Sequence, residues 1–122
     1  MTDRILSFQT CLDLEKVGFS SPTTAFYNKA DKYFFRASDL MVQSDFKTEV
    51  VSCPTISQVL EFTWNSFSTN VEVFVNDDKT FGFILSNIKE DGSRVETGGG
   101  MYGSRSEAEV EAIETFLFYQ TL

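Results

Sequence analysis

Apolar positions along this chain fall into two periods, and each predicts its own kind of element. Between residues 56 and 67 the spacing is helical. Ile56, Val59, Leu60, Thr63, Trp64 and Phe67 recur at i, i+3, i+4, i+7, i+8 and i+11, one stripe on a 3.6-residue period. Pro54 suits a helix start, and Thr55-Ile56-Ser57-Gln58 matches a capping box. The pattern predicts a helix with Trp64 on its core side.

A period of two follows. Val71, Val73 and Val75 alternate with Glu72 and Phe74, while Phe81, Phe83 and Leu85 alternate with Gly82 and Ile84. The intervening Asn76-Asp77-Asp78-Lys79-Thr80 supplies turn chemistry. Pairing Val75 with Phe81, Val73 with Phe83 and Val71 with Leu85 puts all six on one face. A slip of one residue would mix that face, so the pattern selects this register. Phe74, Gly82 and Ile84 then share the other face.

The remaining segments are read in the same way. Ser7 is a good N-cap for a first helix carrying Phe8, Cys11, Leu12 and Glu15, with Gly18 as its stop. Thr24 to Asn28 and Lys32 to Ala37 read as a first hairpin. Residues 38–52 give no decisive pattern. Glu90 to Ser93 is a turn leading to a short strand near Arg94 to Thr97, and Gly98, Gly99 and Gly100 read as loop. Ser104-Arg105-Ser106-Glu107 is a second capping box. It opens a last helix whose inner side is Ala108, Ala112, Ile113, Phe116 and Leu117. The expected fold class is α+β, in the order α-β-β-α-β-β-(β)-α. An antiparallel sheet of two hairpins carries three helices on one face, in a single domain over residues 1–122.

Composition narrows the chemistry. The chain has 122 residues, no histidine, 13 phenylalanines and a formal net charge of −8. Without histidine, Ser-His-Asp and Cys-His nucleophile systems and His-ligated zinc are excluded. No enzyme activity, cofactor or metal is therefore expected. The charge disfavours nucleic-acid partners, because phosphate backbones repel an acidic chain. The densest cations are Lys29, Lys32 and Arg36, around Asp31. Two cysteines, Cys11 and Cys53, make no disulfide framework. Met1 to Ser7 lacks a basic start followed by an apolar run, and no stretch reaches the ~18–20 apolar residues of a membrane span. A cytoplasmic location without membrane contact is expected.

Three segments also carry a resemblance. ILSFQTCLDLEKVGF (residues 5–19), CPTISQVLEFTWNSF (53–67) and YGSRSEAEVEAI (102–113) resemble, in order and spacing, a group of small proteins encoded by phages and prophages of gut bacteria. That group carries a Trp-Leu pair in its second helix, where this chain has Phe62-Thr63-Trp64. The resemblance implies a phage or mobile-element origin, hence the host cytoplasm. It supplies no activity.

The candidate sites are few. Gly98, Gly99 and Gly100, followed by Ser104 and Arg105, place glycines before a helix N-terminus, where backbone N–H groups can meet an anion. The Walker lysine is absent, and glycine runs ordinarily just mark loops. Asp77-Asp78 and Glu90-Asp91 fit turns better than a cation site. Cys11 fits a core position, whereas Cys53, near a helix start, is open to a lowered pKa. Phe62, Phe74 and Ile84 fall outside the two core patterns and form a candidate partner-binding set. A hairpin followed by a Ser-x-x-Glu helix start also resembles double-stranded RNA-binding domains. The cluster of cations those domains place at the helix start is missing, since Arg105 stands alone. These readings point to a non-enzymatic interaction protein that binds a protein partner or itself. The alternative is a protein that binds a small, nucleotide-like ligand.

Overall fold

The computed structural model describes residues 4–121. The helix-hairpin-helix-hairpin-strand-helix order expected from the sequence is observed. In place of a single sheet there are two three-stranded antiparallel sheets with no strand pairing between them; the expected short strand joins the second hairpin, and a further strand joins the first. The chain resolves into two compact units, Arg4–Thr55 and a second from Ile56 onward.

In the first unit, helix α1 (Phe8–Lys16) begins at Ser7, whose hydroxyl accepts from the Thr10 N–H. It ends in a Schellman motif. Gly18 takes φ +100°, its N–H donates to the Glu15 carbonyl, and the Phe19 N–H donates to the Leu14 carbonyl. Strand β1 (Thr23–Asn28) lies between β2 (Phe34–Met41) and β3 (Val50–Ser52). β3 comes from the stretch whose pattern was undecided. It is only three residues long and wholly buried, so no alternation marks it. Cross-strand contact organises one face, where fully buried Phe26 stacks on Phe35 at 5.8 Å and meets Phe46 edge-on at 4.8 Å. Glu15 ties this unit together by accepting from Lys29 Nζ at 2.9 Å and from the Gln43 amide.

In the second unit, helix α2 (Ile56–Phe67) is followed by strands β4 (Thr69–Val75), β5 (Phe81–Ile88) and β6 (Arg94–Tyr102), then helix α3 (Arg105–Gln120). The β4–β5 register is the one selected by the alternation: Val71 opposite Leu85, Val73 opposite Phe83, Val75 opposite Phe81. β5 is central. α3 packs on the face that carries Phe83 and Leu85, and it buries the five inner residues expected of it. Phe116 of α3 meets Phe67 of α2 edge-on at 5.1 Å.

Two expectations are overturned here. Trp64 is not core, being 49% exposed. The buried residues of α2 are Ile56, Val59 and Thr63. At about 100° per residue, Trp64 sits roughly 105° from the centre of that set, past the flank of the stripe. The glycine run is not a loop, because Gly98, Gly99 and Gly100 lie inside β6. They are accommodated by a one-residue bulge. Gly99 pairs with Phe83 but Tyr102 pairs with Phe81, and Gly100 takes φ +88°.

Candidate functional site: the open face of the second sheet

Alternation divides the second unit's sheet into two faces. Phe83, Leu85, Asn87 and their cross-strand neighbours lie on the side of α3. The opposite face carries Asn70, Glu72 and Phe74 from β4, Gly82, Ile84, Ser86 and Ile88 from β5, and Arg94, Glu96 and Gly98 from β6. Apart from buried Gly82 and Ser86, it is largely open to solvent. Asn70, Glu72, Phe74, Arg94, Glu96 and Gly98 are all exposed.

An apolar strip crosses this face. The Phe74 ring lies flat on its cross-strand neighbour Gly82, so that a Cβ at Gly82 would stand 2.6 Å from Phe74 Cζ. Glycine lets the ring lie this close, and a side chain at position 82 would lift it. Ile84, half-buried, is diagonal to Phe74 and stands opposite Gly98. Further along, Trp64 closes an open pocket of about 330 Å³ with Asn70, Ser86, Ile88 and Arg94. The strip thus runs from Phe74 past Ile84 to Ile88 and Trp64. Asn70 and Phe74 are four residues apart on one strand, or roughly 13 Å.

The candidate residues are therefore only partly brought together. Phe74 and Ile84 share the face, as the register required. Phe62 does not join them. Its ring meets Phe67 edge-on at 5.5 Å, which places it in the aromatic chain Phe62–Phe67–Phe116 on the helical side. Trp64 takes its place at the open face. Sequence reasoning missed this because Trp64 satisfies the helical template, though at its margin.

The glycine and helix-start candidates do different work. Ser104 Oγ accepts from the Glu107 N–H at 3.2 Å, and the Glu107 carboxylate accepts from the Gly103 N–H at 3.2 Å. The helix thus supplies its own anion to its N-terminus. Arg105 lies over the Phe81 ring at 5.5 Å. Gly98 admits a close approach, since a Cβ there would stand 2.7 Å from the Phe83 carbonyl oxygen.

The acidic pairs are turn residues. Asp78 accepts from the Thr80 hydroxyl and N–H, and Asp91 from those of Ser93. These hydrogen bonds hold both carboxyls below their ordinary range. Among the described residues no cluster of three or more carboxylates and cysteines is placed to hold a metal. No helix among them is long and apolar enough to cross a membrane.

The cysteines meet inside the first unit. Cys11 is 1% and Cys53 5% exposed, both as free thiols, and Cys53 Sγ donates to the Leu6 carbonyl at 3.7 Å. The hydrogen bond to Cys53, followed by burial, pushes the Cys11 thiol up. The same hydrogen bond lowers the Cys53 thiol, the direction its place near a helix start suggested, but at 5% exposure its sulfur is shielded from solvent. Both thiols should react with Ellman's reagent only as fast as the unit opens, and promptly in denaturant. Stoichiometric labelling of the native protein within seconds would show a solvent path to the sulfur.

The basic stretch of the first unit is also engaged. Lys29 pairs with Glu15, Lys32 lies over the Phe8 ring at 5.6 Å, and Arg36 lies over the Phe34 ring at 5.2 Å. The charge is unevenly divided. Residues 4–55 carry six cations and six carboxylates, whereas from Ile56 onward Lys79, Lys89, Arg94 and Arg105 face eleven carboxylates.

A second pocket, about 260 Å³, opens on the helical side between the end of α3 and the sheet. Phe116 and Tyr119 supply aromatic wall, Leu85 and Val95 aliphatic wall, and Asn87 and Lys89 polar groups. Compared with protein-family models, curated proteins and solved structures, the chain matches none.

Proposed function

We propose that this protein is a non-enzymatic interaction module, a phage or mobile-element accessory acting in the host cytoplasm. In this reading its second unit binds a protein partner through the open sheet face. The exposure of Trp64 and Phe74 carries the reading, at 49% and 36%, with Phe74 on the sheet face opposite α3 and Trp64 reaching its far end from α2. Single exposed apolar residues carry no information, but a strip of two aromatics with Ile84 and Ile88 between them does. Aromatic anchors of this kind dominate binding energy in protein interfaces. The charge of the unit selects the partner. Glu72 and Glu96 flank the strip within a strongly acidic unit, so the complementary surface is basic and presents apolar side chains. The same acidity disfavours nucleic acid.

Phe74→Glu tests this. Its ring sits at the surface, so the variant should stay folded, with a thermal midpoint within a few degrees of wild type. Immobilised Phe74→Glu should lose the basic protein that wild type captures from host lysate. Trp64→Ala, at the far end of the strip, should weaken the same capture. As the sole tryptophan, Trp64 should shift its emission to the blue when the partner binds. Capture that survives both substitutions would move the interface to another surface.

A small-ligand reading is favoured by one observation, the pocket beside Phe116 and Tyr119 with Lys89 at its wall. A nucleotide-like ligand would stack on an aromatic ring and place an anion near Lys89. A thermal-shift screen of nucleotides against wild type and Lys89→Ala tests it.

A further inference from the structure

β6 is an edge strand, and over its first half only the exposed charges of Arg94 and Glu96 guard the edge. Val95 is 54% exposed, and Gly98, Gly99 and Gly100 are exposed although they lie within a strand. Exposed glycines leave bare backbone. Edges of this kind are ordinarily blunted by lysine, proline or a bulge. Residues 94–102 contain neither lysine nor proline, and the bulge falls only at Gly100.

The hydrogen-bond phase shows which peptide groups are free. Lys89 N–H donates to the Ser93 carbonyl at 2.8 Å across the β5–β6 turn. Antiparallel ladders alternate between hydrogen-bonded and non-bonded pairs. Residues 93, 95, 97 and 99 therefore turn their peptide groups toward β5, and Arg94, Glu96 and Gly98 turn theirs outward. Arg94 and Glu96 also sit two apart on the open face, with opposite charges. Within one chain they approach to only 3.9 Å, and both are exposed, a pair that contributes little.

We infer that β6 pairs antiparallel with β6 of a second copy of this chain, about a two-fold axis at Val95. This register sets Arg94 opposite the second copy's Glu96, and Glu96 opposite its Arg94. Both are outward-facing positions, so each pair exchanges two backbone hydrogen bonds. Opposite charges directly across a ladder are favourable and like charges are not. The two Val95 side chains meet on the helical side. Registers centred nearer the glycines would put unlike charges opposite glycine and lose this complementarity. Pairing joins two three-stranded sheets into one six-stranded sheet, and the open faces become continuous. The inference goes beyond the proposed partner site and stands without it, because its readout is oligomeric state and not capture.

The test is a charge-swap series read by light scattering and sedimentation. Wild type should approach twice the 13.8 kDa chain mass as concentration rises. Arg94→Glu and Glu96→Arg should each be monomeric, with like charges facing across the axis. Mixing those two variants should give a one-to-one heterodimer, since every facing pair is then complementary. The double variant Arg94→Glu/Glu96→Arg should regain self-association. Thermal midpoints near wild type would show that loss of mass is not loss of fold. A wild type that stays monomeric to its solubility limit, or a dimer unmoved by either single swap, would overturn the inference.

Discussion

Phe26→Ala should cost the first unit about 3–5 kcal/mol, the usual range for emptying a large buried aromatic site. Phe26 has no exposed surface, and Phe35 and Phe46 close on it from the neighbouring strand and loop. Neither ring can collapse into the space freely. Phe35 is tied to Phe26 by the β1–β2 register, and Phe46 follows directly on a 3-10 turn over Gln43–Asp45. The loss is therefore transfer energy plus a cavity, with the aromatic edge contacts in addition. Chemical denaturation followed by circular dichroism measures it. Phe26→Leu, which refills most of the volume, should recover more than half the loss. A Phe26→Ala loss below about 1 kcal/mol would mean that the aromatic cluster contributes little to this unit's stability.

That cluster shows what the sequence makes legible and what it hides. Phe26 is one of 13 phenylalanines, and its surroundings are not readable from local pattern. Phe46 lies in the stretch that gave no pattern, and it reaches Phe26 only through a long-range fold. β3 is hidden for the same reason. Its three residues pair with β1 more than twenty positions earlier, and all three are buried. The β4–β5 register was readable residue by residue because six apolar side chains over two strands admit only one alignment that keeps them together. The caps at Ser7 and Ser104 were readable because each depends on residues within one turn. Trp64 was misplaced because a 3.6-residue template tolerates residues at the edge of its stripe. Sequence spacing cannot tell the centre of a stripe from its flank without the neighbour that packs there. The open face was half legible. Phe74 and Ile84 came from the register, whereas Trp64 arrives from a helix whose placement no local pattern contains.

Gly100→Ala should destabilise the second unit far more than Gly99→Ala does. Gly100 takes φ +88°, a conformation that costs an L-residue about 1–3 kcal/mol. Space is also lacking, since a Cβ there would overlap the Tyr102 ring, which itself stacks on Phe83 at 6.1 Å. Placing the methyl group therefore means displacing Tyr102, and with it the end of β6 that leads into α3. Gly99→Ala is the internal control. Its Cβ would meet only the Phe83 ring, at 4.0 Å, in ordinary contact, and its φ lies outside the left-handed region. The expected order is a loss of at least about 1–3 kcal/mol for Gly100→Ala against a change within about 0.5 kcal/mol for Gly99→Ala. Denaturant midpoints of the two variants decide it. Equal, small effects would remove the bulge as the reason for the glycines and return the run to a loop with no positional demand. A large effect at Gly100 with none at Gly99 would tie the glycine at position 100 to the bulge.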